Sequence, residues 1–137
     1  MLSILETCLY AEDLEAAEEF YTRVLELEVF AREPGRHVFF RCGSGMFLIF
    51  NSAATQNPAS SAGGVVPGHG ARGPGHVCFR IAAGETDRWR EKLLAAGVAI
   101  ESEVHWPRGG TSLYFRDPAG NCVELAPASI WGLKETP

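Results

Sequence analysis

The sequence predicts an α+β fold made of two paired βαβββ modules whose sheets curve around a shared interior. Three observations lead to that class. A strand-like run, a helical run and three short β-prone stretches occur in that order twice within 137 residues. The two copies share local residue patterns, and a segment without apolar periodicity separates them. Strands and helices mixed in this way, on a length suited to one domain, argue for packed α+β layers.

In the first module, residues 1–51, a strand is expected over 4–11. Asp13 is placed to cap a helix in which Leu14, Ala17, Tyr21, Val24 and Leu25 recur on one face. β-prone stretches follow at 27–32, 36–42 and 46–51. The second module, residues 75–126, begins with a strand over 76–81. Thr86 is a possible cap, Trp89, Leu93 and Ala96 share a helical face, and Gly97 suits the residue just past the helix end. Further strands are expected at 98–105, 111–116 and 121–126, with 127–137 as a tail. Glu6-x-Cys8 and His76-x-Cys78 open equivalent strands. Phe39-Phe40-Arg41-x-x-x-Gly45 matches Tyr114-Phe115-Arg116-x-x-x-Gly120. One small sheet with one helix cannot bury its apolar face alone, so the halves are expected to pair within the chain or across a homodimer.

Between the modules, residues 52–74 are dense in Gly, Pro, Ser and Ala and read as a linker or mobile loop. Structureless connections rarely exceed ~12–15 residues, so the segment is expected to be functional or to divide two units. Read as a lid, it offers His69 and Arg72 as ligand contacts; read as a tether, it only spans the modules.

Composition narrows the function. Twelve Lys and Arg against 17 Asp and Glu give a net charge of −5, which supplies no basic field for nucleic acid. With 46% hydrophobic and 21% charged residues the chain reads as an ordinary globular protein. Its longest apolar run, 46–50, is far below the ~18 residues of a membrane span. The first ten residues lack a basic region and Glu6 interrupts their apolar character, so they do not read as a secretory signal. Cys8, Cys42, Cys78 and Cys122 form no C-x-x-C pair, and reduced thiols in a cytoplasmic protein are expected.

Asp117-Pro118-Ala119-Gly120-Asn121 is turn chemistry and joins two strands as a hairpin. In the next strand Glu124 stands between Val123 and Leu125, where a carboxylate needs a partner. That partner is either an arginine such as Arg116 on a solvent face or a functional centre.

Two patterns resemble a known family. Tyr10-x-x-Asp13-Leu14-x-x-Ala17-x-x-Phe20-Tyr21-x-x-Val24-Leu25 is one, and Leu113-Tyr114-Phe115-Arg116-Asp117-Pro118-Ala119-Gly120-Asn121-x-Val123-Glu124-Leu125 is the other. Both resemble the vicinal oxygen chelate superfamily, which includes glyoxalase I, extradiol dioxygenases, fosfomycin-resistance transferases and bleomycin-resistance binding proteins. The resemblance implies paired βαβββ modules forming a curved sheet around a cleft, with a divalent metal held there in many members. Carried over residue by residue, it implies Glu6, His76 and Glu124 as metal ligands. Ile49 aligns with the fourth position and cannot coordinate. The chain thus departs from the four-ligand pattern of glyoxalase I, and Glu6 departs from the two-histidine, one-carboxylate set of the dioxygenases.

One imidazole and two carboxylates suit Zn, Ni, Co, Mn or Fe and leave positions open for substrate. The implied function is a metal-dependent lyase, isomerase or dioxygenase acting on a small oxygenated substrate, with Glu6 or Glu124 also moving a proton. The alternative is a metal-free small-molecule-binding protein of the bleomycin-resistance kind. Arg108, in Pro107-Arg108-Gly109-Gly110, and His69 are candidate substrate contacts, Arg108 because a guanidinium matches anionic groups. His37 and His105 flank strands and are placed to line a pocket. Cys8, Cys78 and Cys122 each stand two positions from a candidate ligand, roughly 6.6 Å along a strand. That separation favours small core thiols over a thiolate site.

Overall fold

In a computed structural model, residues 1–135 are described. Among them the chain forms ten strands, three α-helices and a short 3₁₀ turn. Two compact units meet between Gly75 and His76. None of the described helices is long and apolar enough to cross a membrane.

The first unit contains β1 (Glu6–Tyr10), α1 (Leu14–Arg23), β2 (Glu28–Glu33), β3 (His37–Cys42) and β4 (Gly45–Phe50). Its sheet runs β1-β4-β3-β2, with β1 parallel to β4 and the other neighbours antiparallel. The Asp13 side chain accepts a hydrogen bond from the backbone of Ala16, which satisfies one of the orphan donors at the start of α1. Ala17, Phe20, Tyr21 and Val24 fall three and four residues apart and are buried, as a core-facing helical stripe requires. Strand alternation supplies the opposing layer from Val38, Phe40, Phe47 and Ile49. Tyr21 meets Phe47 edge-on, with ring centroids 4.9 Å apart.

Residues 52–74, expected to lack regular structure, instead contain α2 (Ser52–Thr55) and a hairpin of β5 (Ala59–Ser61) with β6 (Gly64–Val66). Neither is long enough to leave a periodic apolar signature. The Asn51 side chain starts α2 by accepting from Ala53 N.

The second unit repeats the order with β7 (His76–Ile81), α3 (Thr86–Ala95), β8 (Ser102–His105), β9 (Thr111–Arg116) and β10 (Cys122–Pro127). Its sheet runs β7-β10-β9-β8 and again pairs its first and last strands in parallel. The α+β class and both βαβββ modules are therefore present. Three details differ from expectation. Thr86 is the first helical residue and not the cap, since Glu85 precedes α3 without a side-chain capping bond. Strand β8 begins at Ser102 and not at residue 98. The last strand continues to Pro127, leading into the 3₁₀ turn Ala128–Trp131. Gly97, at φ 75°, ends α3 in the left-handed conformation that glycine adopts most readily.

The two β-hairpins that end the modules differ by one residue. Arg41 pairs with Met46 in the first, and Arg116 pairs with Cys122 in the second. The longer turn is held by Asp117, whose carboxylate accepts from Ala119 N at 3.0 Å, Asn121 N at 2.8 Å and Asn121 Nδ2 at 2.9 Å. Both Asp117 and Asn121 are buried. Replacing Asp117 with Ala leaves those donors without a partner, so Asp117→Ala is expected to destabilise the chain by about 2–4 kcal/mol, from two or three lost charge-assisted bonds. Urea denaturation of the two proteins checks this.

Candidate functional site

The Asp117 turn sets the register that builds the site. Glu124 on β10 stands opposite Tyr114 on β9 and Cys78 on β7, while Cys122 stands opposite His76. Because side chains alternate across a sheet, His76, Cys78, Ser112, Tyr114, Cys122 and Glu124 share one face. Val77, Leu113, Phe115, Val123 and Leu125 take the other, where the last four are buried with Leu93 of α3.

Glu124 is the buried carboxylate of this polar face, at 5% exposure. One of its oxygens, Oε1, accepts a short hydrogen bond from Ser112 Oγ. Ser112 accepts in turn from Trp106 Nε1 at 2.8 Å. The second oxygen, Oε2, lies 3.3 Å from Nε2 of the half-exposed His76. The other imidazole nitrogen, Nδ1, is 2.9 Å from the Cys122 carbonyl oxygen. A carbonyl can only accept, so Nδ1 carries the proton and Nε2 turns its lone pair toward the carboxylate. Arg116, the alternative partner for Glu124, instead pairs with Glu101 at 2.8 Å.

The face also holds two groups kept in their protonated forms. Burial first, then the charge and hydrogen bond of Glu124, push the Cys78 thiol up to about 12. Burial, followed by a hydrogen bond to Glu124, also raises the Tyr114 phenol. Cys78 is nonetheless exposed as a residue, and the other three cysteines are half-buried, so the expectation of core thiols does not hold. All four are free.

Two nearly facing acceptors, Nε2 and Oε2, call for a positive charge, either a proton on the imidazole or a metal ion. Ligands about 2.0–2.2 Å from one ion sit roughly 3.0–3.4 Å apart at tetrahedral to octahedral angles. The 3.3 Å separation suits that arrangement, and an anchored Nδ1–H is the usual support for a ligating histidine. Glu6 belongs to the first unit, where it opens β1 opposite Met46 and is exposed. It is the counterpart there of His76. Among the described residues no three His, Cys, Asp or Glu side chains are grouped for a metal. The counterpart of Glu124 is Leu48, opposite Cys8, and not Ile49. Ile49 is fully buried in the core, because the longer second turn shifts the alignment by one residue.

Residues 3–125 match the Glyoxalase/Bleomycin resistance protein/Dioxygenase superfamily. The chain belongs to that superfamily. It is similar to the crystal structure of lactoylglutathione lyase from Agrobacterium tumefaciens, at 42% identity and a TM-score of 0.89 over 96% of this chain and 97% of that one. A glyoxalase/bleomycin resistance protein/dioxygenase from Nocardioides aligns at 26% identity and a TM-score of 0.70, over 93% of this chain and 83% of that one. The fosfomycin resistance protein FosX from Mesorhizobium loti, at 20% identity and a TM-score of 0.63 over 93% of each chain, shares the fold. No curated protein matches the chain.

The remaining candidates make other contacts within their own units. Arg108 is exposed in the turn between β8 and β9, where its Nη1 lies over Gly132. His69 is not on an open loop tip: Tyr10 OH meets its Nδ1 at 2.7 Å, and its ring packs edge-on against Phe50 at 4.7 Å. His105 is tied to Thr111 Oγ1 at 2.8 Å. His37 stacks flat on Phe39, with centroids 3.9 Å apart.

Ser112, Trp106 and Tyr114 were not singled out by sequence. The signal that could have found Ser112 and Tyr114 is their alternation on the strand facing Glu124 across a turn of known length. Trp106 carries no such signal, since its role depends on a turn geometry that residue pattern does not encode.

Removing the Ser112 hydroxyl strands a carboxylate oxygen and an indole N–H together. Ser112→Ala is expected to lower stability by about 1–3 kcal/mol, with a matching fall in the urea midpoint. A second expectation concerns His37, whose Nδ1 is buried without a hydrogen bond. Burial lowers its pKa below the ordinary 6.5, with Glu33 opposing and Arg36 assisting. A depressed folded value means that the stability tied to neutral His37 is intact above pH 6.5 and is lost as pH falls through the folded value. Ring-proton titration by NMR should place His37 below 6.5, and His37→Phe should flatten the acid side of the stability profile.

Proposed function

We propose that the chain is a divalent-metal-dependent enzyme of the glyoxalase/dioxygenase type, acting on a small oxygenated substrate and working as a homodimer. The observation that carries this reading is the 3.3 Å approach of His76 Nε2 to Glu124 Oε2, with Nδ1 anchored on the Cys122 carbonyl. The 42% identity with a lactoylglutathione lyase supports a lyase reaction of that kind as the first activity to assay. His76, Glu124 and Glu6 would hold the ion, which could be Zn, Ni, Co, Mn or Fe. Once bound, it would act as a Lewis acid toward two substrate oxygens and stabilise developing negative charge.

The chain's own groups divide the remaining work. Ser112 fixes one oxygen of Glu124 and leaves the other aimed at His76. That tether makes Glu124 the stationary carboxylate. Glu6, exposed at a strand start, has the freedom to swing and accept a proton from the substrate carbon. Tyr114, kept protonated, donates on the same face.

A second reading, a metal-free small-molecule-binding protein, is favoured by Leu48, which occupies the position equivalent to Glu124 in the first unit and offers no donor. Metal analysis separates the two. Protein purified without chelators or a metal-carrying tag should retain close to one divalent ion per chain and turn over lactoylglutathione. His76→Ala and Glu124→Gln should each weaken metal affinity by at least tenfold and reduce turnover by a hundredfold or more, with Glu6→Gln reducing turnover more than metal affinity. Metal-free protein that binds ligand unchanged in the His76→Ala variant would favour the binding reading.

A further inference from the structure

The first unit carries a cavity of about 270 Å³ whose lining includes neither His76 nor Glu124. Ser52, Gln56, His69, Gly70, Ala71 and Arg72 line it. Every polar side chain in that set can donate a hydrogen bond, and none is a carboxylate. In a chain of net charge −5, a cavity free of acidic groups stands out in its chemistry. A second cavity in the same unit, lined by Glu12, Asp13, Leu14, Glu15 and Gly35, has the opposite character.

Arg72 is the decisive residue. Most arginines of this chain are engaged, among them Arg32 with Glu18, Arg90 with Glu103 and Arg116 with Glu101. Arg72 has neither an ion pair nor a hydrogen bond among the described residues, and it lines a cavity that stands partly open to solvent. A planar fork of N–H donors left open at a cavity matches the paired oxygens of a carboxylate or phosphate.

The walls are rigidly built. His69 N donates to Thr55 O at 2.8 Å, which stitches the 67–72 segment to α2. A Cβ at Gly68 would lie 2.3 Å from the Gln56 carbonyl oxygen, so only glycine permits that approach, and one at Gly70 would press on Ser52 Cβ at 3.2 Å. Arg36 Nη1 holds the Ala54 carbonyl at 3.0 Å from the other side. The Tyr10 hydroxyl fixes the His69 ring through Nδ1. With Tyr10 donating, the His69 proton sits on Nε2 and adds another donor to the lining.

We infer that this cavity is an oxyanion site, in which Arg72 receives the carboxylate or phosphate group of a small molecule and Ser52, Gln56 and His69 donate around it. Its volume lies just below the range typical of drug-sized ligands, about 300–1,000 Å³, so the ligand is a small acid or the anionic end of a larger one. The site stands whether or not the metal-dependent reading holds, since none of its residues is shared with that centre.

The test uses the full chain, labelled with ¹⁵N and titrated separately with sodium phosphate and sodium acetate, against sodium chloride at matched ionic strength and pH. Saturable amide shifts confined to residues 52–72 are expected in at least one of the two oxyanion arms and absent with chloride. Saturation by phosphate alone assigns a phosphate-bearing ligand, and saturation by acetate alone assigns a carboxylate. Arg72→Gln, which removes an exposed side chain without partners, should keep the parent melting temperature and weaken binding at least tenfold. Ser52→Ala should weaken it several-fold, and Arg88→Gln, an exposed charge on α3, should leave it unchanged. Shifts that grow linearly without saturation, that appear equally with chloride, or that persist undiminished in Arg72→Gln would overturn the assignment.

Discussion

Glu124 is a carboxyl group held out of water in the middle of a strand, and the second sheet's polar face is organised around satisfying it. Leaving such a group without partners would be strongly unfavourable. Ser112 takes one oxygen, with Trp106 behind it, and His76 faces the other. Arg116, on the same face, is committed to Glu101. With a hydroxyl on one oxygen, the carboxylate keeps the other directed at the imidazole.

The two units use one topology for two surfaces. On the face away from α1, the first sheet presents Cys8, Tyr10, His37, Phe39, Leu48 and Phe50, which is largely aromatic and apolar. The equivalent face of the second sheet presents Cys78, Ser112, Tyr114, Cys122 and Glu124. The hidden faces remain alike, each an alternating row of Val, Leu, Ile and Phe packed against its helix. Core packing thus fixes the common framework, while the outward positions of the same strands have become specialised.

Much of this was legible in the residues. The helical stripe of Ala17, Phe20 and Tyr21, the Gly97 stop and the Asp117–Asn121 hairpin are local signals, and local signals depend on neighbours the chain itself specifies. The family pattern names His76 and Glu124 as candidates, and their side chains approach because parallel pairing of β7 with β10 brings distant residues side by side. Harder to read were features decided by tertiary context. The short helix and hairpin within 52–74 have too few residues for periodicity, and His69 is pinned by Tyr10, some sixty positions away in the chain. The position Ile49 was misplaced because aligning two copies by their glycines assumes equal turns.

The single extra residue in the second hairpin is absorbed by the turn and does not propagate into the sheet, because Arg41–Met46 and Arg116–Cys122 are equivalent pairs. Each residue after the turn therefore keeps the same side of the pleat as its structural counterpart, Leu48 with Glu124 and Phe47 with Val123, and only counting from the glycines sets them on opposite faces. The turn is thus a buffer between strands, and its length differs between the copies without moving a side chain from one face to the other. The Asp117–Asn121 bonds hold the longer form of that buffer closed, so the second module accommodates one more residue than the first while Glu124 keeps the face that Leu48 takes.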